Sequence, residues 1–235
     1  MRAGAVRCQA CRLAPRWCVC RALPQATTAI QVDVLMHPRE QCKPSSTGKL
    51  IERAVQGARC QLYQRGPHHE PNILVPESHQ HSGPPPPSLA ALRGPELWIL
   101  HPLGEPLESI QSVVDRSTPL RVLLLDGNWS QAGEMLRTIE SIGRCVRLRA
   151  AGPSRYWLRD QREPSHISTA EALLGVFNAV GDTAAEVQFR LHFELHVYAS
   201  LRARGRRQLA EDYLQDSPLK AAIPDFLERL NARRP

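Results

Sequence analysis

The sequence predicts an α/β fold: a mainly parallel sheet with helices on both faces, carrying a small cysteine-bearing knuckle at its amino terminus. Three observations lead there. Apolar runs of strand length alternate with segments of helical periodicity, the pattern of a parallel sheet covered by its connections. The run Val122-Leu123-Leu124-Leu125 is apolar throughout, as a strand buried on both faces must be. Residues 1–23 are rich in Cys and Arg and show no periodicity, so something other than a hydrophobic core has to fold them. We therefore divide the chain into a small cysteine-bearing knuckle over 1–25 and an α/β domain over 26–235.

Residues 30–36 alternate and then run apolar, which predicts a first strand ending at His37-Pro38. Leu50, Ile51, Ala54, Val55 and Ala58 place a helix over 47–58. Short strands are predicted at 60–63 and 73–75, the second ending at Pro76-Glu77. Residues 82–88 contain four consecutive prolines, which neither a helix nor an inner strand tolerates, and are read as a surface loop. A strand at 96–100 and a helix at 107–114 precede the 122–125 strand. Behind that strand Ala132, Leu136, Ile139 and Ile142 recur at helical spacing with Met135 adjoining. A strand at 145–148 and an Arg-rich loop at 150–164 lead to two helices. Leu173, Leu174, Phe177 and Val180 mark the first; Val187, Leu191, Leu195, Tyr198 and Leu201 mark the second. Arg204, Arg206 and Arg207 begin a basic tail. No internal repeat is visible.

At 235 residues the chain can bury a sizeable core, and its hydrophobic fraction of 42% is ordinary for a globular protein. No apolar stretch approaches the roughly 20 residues that span a bilayer, and arginines interrupt the amino terminus where a signal peptide would be apolar. The expectation is a cytoplasmic protein without a membrane. The net charge of +7 and the isoelectric point near 9.3 favour acidic partners, nucleic acid above all. Seven cysteines without an export signal argue against a disulfide framework and for reduced thiols or a metal.

Four places carry candidate chemistry. Asp126-Gly127-Asn128-Trp129 sits on a strand-to-helix turn, where open α/β sheets bind ligands. It offers a carboxylate, a flexible Gly and an aromatic face; the plain alternative is that Asp126 starts the helix and Trp129 caps the core. Cys8, Cys11, Cys18 and Cys20 supply four soft thiolates that can close a tetrahedron around a structural Zn2+, the alternative being reactive or disulfide-bonded thiols. Ser168-Thr169-Ala170-Glu171 reads as a capping box opening a helix. His37-Pro38-Arg39-Glu40, followed by Ser46-Thr47-Gly48-Lys49, precedes another helix. That last fragment resembles the end of a phosphate loop but lacks its upstream Gly, which argues against a nucleoside triphosphatase.

Two further groups have plainer readings. Arg155, Arg159 and Arg162 with Tyr156 and Trp157 interleaved suit a nucleic-acid contact, or a solvated basic loop. His192 and His196 lie four apart without a Glu directly after the first, so they are read as ordinary helix-surface residues, not a metalloprotease site. His68, His69, His79 and His81 flank the proline loop, and Cys42, Cys60 and Cys145 are scattered; none of these is given a role.

The cysteine spacing, His37-Pro38-Arg39-Glu40 with Ser46-Thr47-Gly48, the Asp126 tetrad and Ser168-Thr169-Ala170-Glu171-Ala172, in this order, resemble the DTW-domain family of tRNA-uridine aminocarboxypropyltransferases. The resemblance runs from Cys8 to the helix after Glu171. One departure is that the family signature has Thr before the Trp, where this chain has Asn128.

The resemblance implies a SPOUT-like sheet with a trefoil knot. It also implies transfer of the 3-amino-3-carboxypropyl group of S-adenosylmethionine to N3 of a tRNA uridine. It implies a cofactor pocket with three walls: Leu74, Pro76 and Glu77; Leu125; and Ser168, Thr169 and Glu171. Asp126 would be the base, with Trp129 beside it. His37, Arg39, Glu40 and Thr47 would place substrate, with Arg155 and Arg159 on the RNA. No obligate protein partner is expected. Two rival classes remain, a SPOUT-type RNA methyltransferase and a non-catalytic zinc-containing RNA-binding protein.

Overall fold

The computed structural model describes residues 6–65, 71–74, 96–107, 119–149, 152–159 and 167–232. In chain order its elements are β1 (Gln31–Met36), α1 (Gly48–Ala54), β2 (Arg59–Arg65), β3 (Pro71–Leu74), β4 (Leu97–Pro106), β5 (Arg121–Asp126), α2 (Trp129–Ile139), β6 (Arg144–Arg147), α3 (Thr169–Val180), α4 (Thr183–Ala203), α5 (Arg207–Gln215), α6 (Leu219–Ala222) and α7 (Pro224–Ala232). They fall into two compact units. A sheet unit takes residues 28–41 and 57–151; a helical unit joins 1–27, 42–56 and 152–235.

The sheet unit is a six-stranded sheet in the order β3-β2-β1-β5-β4-β6. Five strands run parallel, and β3 pairs antiparallel with β2 at one edge. Leu35, Leu97, Ile99, Leu123 and Leu125 pack with Ala132, Met135, Leu136 and Ile139 of α2. The alternate residues Val32, Val34, Trp98, Val122 and Leu124 are equally buried, so the apolar run at 122–125 is explained by burial on both faces. Arg121 Nε closes the start of β5 onto Asp33 Oδ2 at 2.7 Å. Within β4 the register shifts between Leu100 and Glu105, and a Cβ on Gly104 would stand 2.5 Å from the backbone nitrogen of Val146. Only glycine lets β4 and β6 approach there.

The helical unit centres on α4. From His192 to Leu201 every residue of α4 is buried, which its mixed composition does not advertise. Tyr198 Oη reaches Asn231 of α7 at 2.8 Å, and Phe189 meets Phe177 of α3 edge to face at 6.1 Å.

Several sequence expectations need correction. The helix expected over 47–58 ends at Ala54, because Val55 bridges to Ala26 and Gln56 N–H donates to the Ala26 carbonyl; Gly57 then turns at φ +77°. The strand at 96–100 continues to Pro106 through the shifted register. The tail after Arg204, to which the sequence reading assigns no element, forms α5, α6 and α7, held by buried Ala210, Tyr213, Leu214, Leu219, Leu227 and Leu230. The proline loop at 82–88 and all but the first residue of the expected 107–114 helix lie outside the described residues.

Candidate active site

In the sheet unit the chain leaves β1 toward β2 on one side, and leaves β5 toward β6, beyond β4, on the other. The adjacent carboxyl ends of β1 and β5 are therefore the place where connections diverge and open a crevice, the usual ligand position in such sheets. Met36 pairs with Asp126 there, and His37 N–H donates to the Asp126 carbonyl at 2.9 Å. Two segments singled out in the sequence, one after each strand, thus meet at one sheet end. Asp126 is only 5% exposed, so its carboxylate is more sheltered than a turn position suggests.

The helix starter is Asn128, not Asp126. Asn128 Oδ1 accepts from Gln131 N–H at 2.9 Å, and Gln131 Oε1 accepts from Asn128 N–H at 2.8 Å, a complete capping box. A Cβ on Gly127 would lie 2.9 Å from Gln131 Cβ, which explains the glycine: Gln131 folds back over it. Thr and Asn both serve as N-caps, so Asn128 performs a job open to the family's Thr. Asp126, spared from capping, ends β5. Trp129, at the first helical position, is 42% exposed and does not cap the core.

His37 opens a short 3-10 turn over Pro38–Glu40, its Nδ1 accepting from Arg39 N–H at 3.2 Å, and its ring stacks on Tyr63 at 6.4 Å. Arg39 is exposed, whereas Glu40 is 1% exposed. Leu74 ends β3; Pro76 and Glu77 lie outside the described residues, as do Arg162 and His68, His69, His79 and His81.

In the helical unit, α3 starts with the expected capping box. Ser168 Oγ accepts from Glu171 N–H at 3.3 Å, and Glu171 Oε2 accepts from Ser168 N–H at 2.7 Å. The other oxygen, Oε1, accepts from Ser154 Oγ at 2.6 Å and Arg155 N–H at 2.7 Å. Thr47, at the start of α1, makes no capping bond; its Oγ1 instead accepts from Ala170 N–H at 3.3 Å. Two of the amides that a helix N-terminus offers a ligand are therefore already taken, at Ala170 and Glu171.

The basic loop is built differently from the nucleic-acid contact expected of it. Arg155 donates from Nε and Nη2 to both oxygens of Glu194, at 3.1 and 2.8 Å, and from Nη2 to the Tyr213 carbonyl at 2.9 Å. Its guanidinium also lies over the Tyr213 ring at 4.1 Å. Glu194 is 2% exposed, so Arg155 answers a buried charge. Tyr156 is buried, stacked on Phe193 at 6.4 Å, and donates its hydroxyl proton to the Ser45 carbonyl. Trp157 packs edge-on against Tyr213 at 5.1 Å. Arg159 is exposed. Glu194 and Tyr213 were invisible in the sequence because only the fold brings residues 155, 194 and 213 together.

The Sγ atoms of Cys8, Cys11, Cys18 and Cys20 lie within 4.8 Å of one another, and none is in a disulfide. Cys8 and Cys20 sulfurs are 3.7 Å apart, close to the roughly 3.8 Å edge of a tetrahedron with Zn–S bonds near 2.3 Å. The hydrogen bond with Cys20 lowers Cys11 to about 5 and pushes Cys20 up. Donor set and spacing both fit a structural Zn2+. Cys42 is exposed, and Cys60 and Cys145 are half-buried in the sheet unit.

His192 and His196 are not on a helix surface, as expected, but are 4% and 2% exposed. His192 Nε2 lies 2.8 Å from the Pro24 carbonyl, and His196 Nδ1 lies 3.4 Å from Arg53 Nη2. Burial lowers both, His196 to about 3. Both are parts of the core, and His196 is neutral there.

A family model described as DTW domain matches residues 5–202. Among curated proteins, a Drosophila melanogaster protein named tRNA-uridine aminocarboxypropyltransferase 2 is 28% identical over 174 residues, covering 70% of this chain. The chain spans 62% of that relative's own length. No solved structure matches. Among the described residues no helix is long and apolar enough to cross a membrane.

Proposed function

The chain belongs to the DTW-domain family, and on that premise we propose that it transfers the 3-amino-3-carboxypropyl group of S-adenosylmethionine to N3 of a uridine in tRNA. The observation that carries this reading is Asp126 at the diverging carboxyl ends of β1 and β5, kept out of the capping box by Asn128. S-adenosylmethionine supplies a sulfonium with three carbon neighbours, so the product depends on which carbon faces the nucleophile. Asp126 takes the N3 proton; N3 then bonds to the methionine-side methylene as that carbon's bond to sulfur breaks, leaving methylthioadenosine. Choice among the three carbons is a matter of positioning.

Trp129 offers a face on which a base can stack beside Asp126. Leu74, Pro76, Glu77 and Leu125, and separately Ser168 and Thr169, are the residues this reading assigns to the cofactor, and Glu171 fixes the α3 turn. His37, Arg39, Glu40 and Thr47 position substrate, and Arg159 contacts RNA phosphate. The SPOUT relation and the knot belong to this proposal on family membership alone. Cys8, Cys11, Cys18 and Cys20 hold one Zn2+, which folds the amino-terminal turn.

The test is mass spectrometry of tRNA nucleosides after incubation with S-adenosylmethionine. An aminocarboxypropyl adduct on uridine is expected. A methyl adduct would assign a methyltransferase, and an unchanged nucleoside pool would leave a binding protein. Elemental analysis should find about one zinc per chain, and chelation should unfold residues 1–23 locally.

A further inference from the structure

We infer that a cleft in the helical unit, between the four-cysteine turn and α1, seats a phosphate of the RNA backbone. Arg12 from the turn, Lys43 before the helix, and Lys49 and Arg53 on the helix line it together with Cys11, and among the described residues no carboxylate does. Lys49 and Arg53 are four apart, so they share one face of α1, an arrangement of like charges that is unfavourable by itself. An anion in the cleft offsets the part of that repulsion which the neighbouring thiolates of Cys11 and Cys20 do not.

Two buried polar atoms point the same way. His196 lines the cleft; with Nδ1 facing Arg53 the ring proton sits on Nε2, which is buried and has no hydrogen-bond partner among the described residues. Arg12 Nε is buried without a partner as well. Arg12 is also the one non-glycine described residue at positive φ, +60°, fixed by its N–H donating to the Cys8 carbonyl and by Cys8 N–H donating to the Leu13 carbonyl, both at 2.8 Å. That conformation costs free energy for a residue with a Cβ. The turn that gathers the thiolates is thus the turn that brings Arg12 to the cleft.

The ligand class follows from the charge. Four cations around a small opening suit a phosphate group, and a chain of net charge +7 with a tRNA-modifying relative meets phosphate as polynucleotide. This inference rests on the RNA part of the proposed function. S-adenosylmethionine carries no phosphate, so the cleft is separable from the cofactor walls.

The test uses the full, zinc-loaded chain, with Lys49→Gln, Arg53→Gln, the double variant, and Lys220→Gln on exposed α6 as a control for net charge. Total tRNA binding is measured over a salt series, with inorganic phosphate as a second probe. Zinc content and circular dichroism confirm folding; Lys49→Gln, only partly buried, keeps the test open if Arg53→Gln fails to fold. Each cleft variant should weaken tRNA binding several-fold whatever the tRNA, and lower the log–log salt slope by about one unit. Affinity for S-adenosylmethionine and the Lys220→Gln variant should be unaffected. Wild-type binding with an unchanged slope in the cleft variants overturns this inference and leaves the RNA reading standing. Absence of any wild-type tRNA binding overturns both. Phosphate binding lost in the variants while tRNA binding persists would make the cleft a free-anion seat, also against the inference, as would an equal loss in Lys220→Gln.

Discussion

Two helices in this molecule begin with the same device, and the devices serve different ends. At α2 the box is neutral: Asn128 and Gln131 satisfy each other, and Gly127 makes room for the return. At α3 the box is charged, and Glu171 has an oxygen left over that takes the hydroxyl of Ser154 and the N–H of Arg155. The first box closes on itself and leaves the strand-end carboxylate before it uncommitted to capping. The second is the anchor of a loop whose arginine then reaches Glu194 and Tyr213. A capping motif read from sequence identifies a helix start; what the start is for depends on the acceptor capacity its N3 residue has left.

The sharpest way to break this contrast is at Asp126. Asp126→Asn keeps shape but removes proton acceptance, and turnover should fall by about 10²–10⁴ while affinity for S-adenosylmethionine changes little. Because Asn128 already caps α2, thermal stability should change far less than turnover; near-normal turnover would remove Asp126 from the mechanism, and joint loss of turnover and cofactor affinity would make it a cofactor ligand. At the other box the effect should fall on stability. Arg155→Met strands Glu194 in the core, and urea unfolding should register a loss of about 3–5 kcal/mol. A loss below about 1 kcal/mol would show that Glu194 does not depend on Arg155 for its burial.

The helical unit also carries an acid-sensitive residue. His196, held at about 3 in the folded protein against 6.5 when unfolded, is neutral in the native core, so the unfolded chain binds the extra proton first. Its contribution is whole above pH 6.5 and falls by about 1.4 kcal/mol per pH unit below it, as the folded state resists protonation. Between pH 7 and pH 5 that is about 2 kcal/mol, which unfolding curves of His196→Gln should not show; an equal acid loss in the variant would exonerate the histidine. The smallest effects belong to the neutral box. Asn128→Ala should cost about 1 kcal/mol, and Asn128→Thr a few tenths. A large loss of turnover in Asn128→Thr would mean that Asn128 touches substrate.

Local signals in the sequence survived folding well. The buried strand at 122–125, the capping box at Ser168 and the cysteine spacing each depend on neighbours within a few residues, and each is found where the pattern puts it. The tertiary consequences were not legible. Arg155 and Tyr156 look like an RNA-binding surface until the fold supplies Glu194, Phe193 and Tyr213. His192 and His196 look like surface positions because α4 has no single apolar face; only a helix packed all round buries them. Helices α5 and α7 are not legible in the sequence because their few apolar residues are widely spaced among charges.

The helical unit is assembled from stretches far apart in the chain. Trp17 lies under the guanidinium of Arg202 at 5.0 Å, and the Pro24 carbonyl is met by His192. During synthesis the cysteine turn leaves the ribosome long before either partner exists. A turn that must wait some 180 residues for its packing is poorly served by hydrophobic contacts and well served by a bond it can make at once. Four thiolates within thirteen positions close on a cation without any help from the rest of the chain. With the proposed Zn2+ bound, the turn would be set before its packing partners are made.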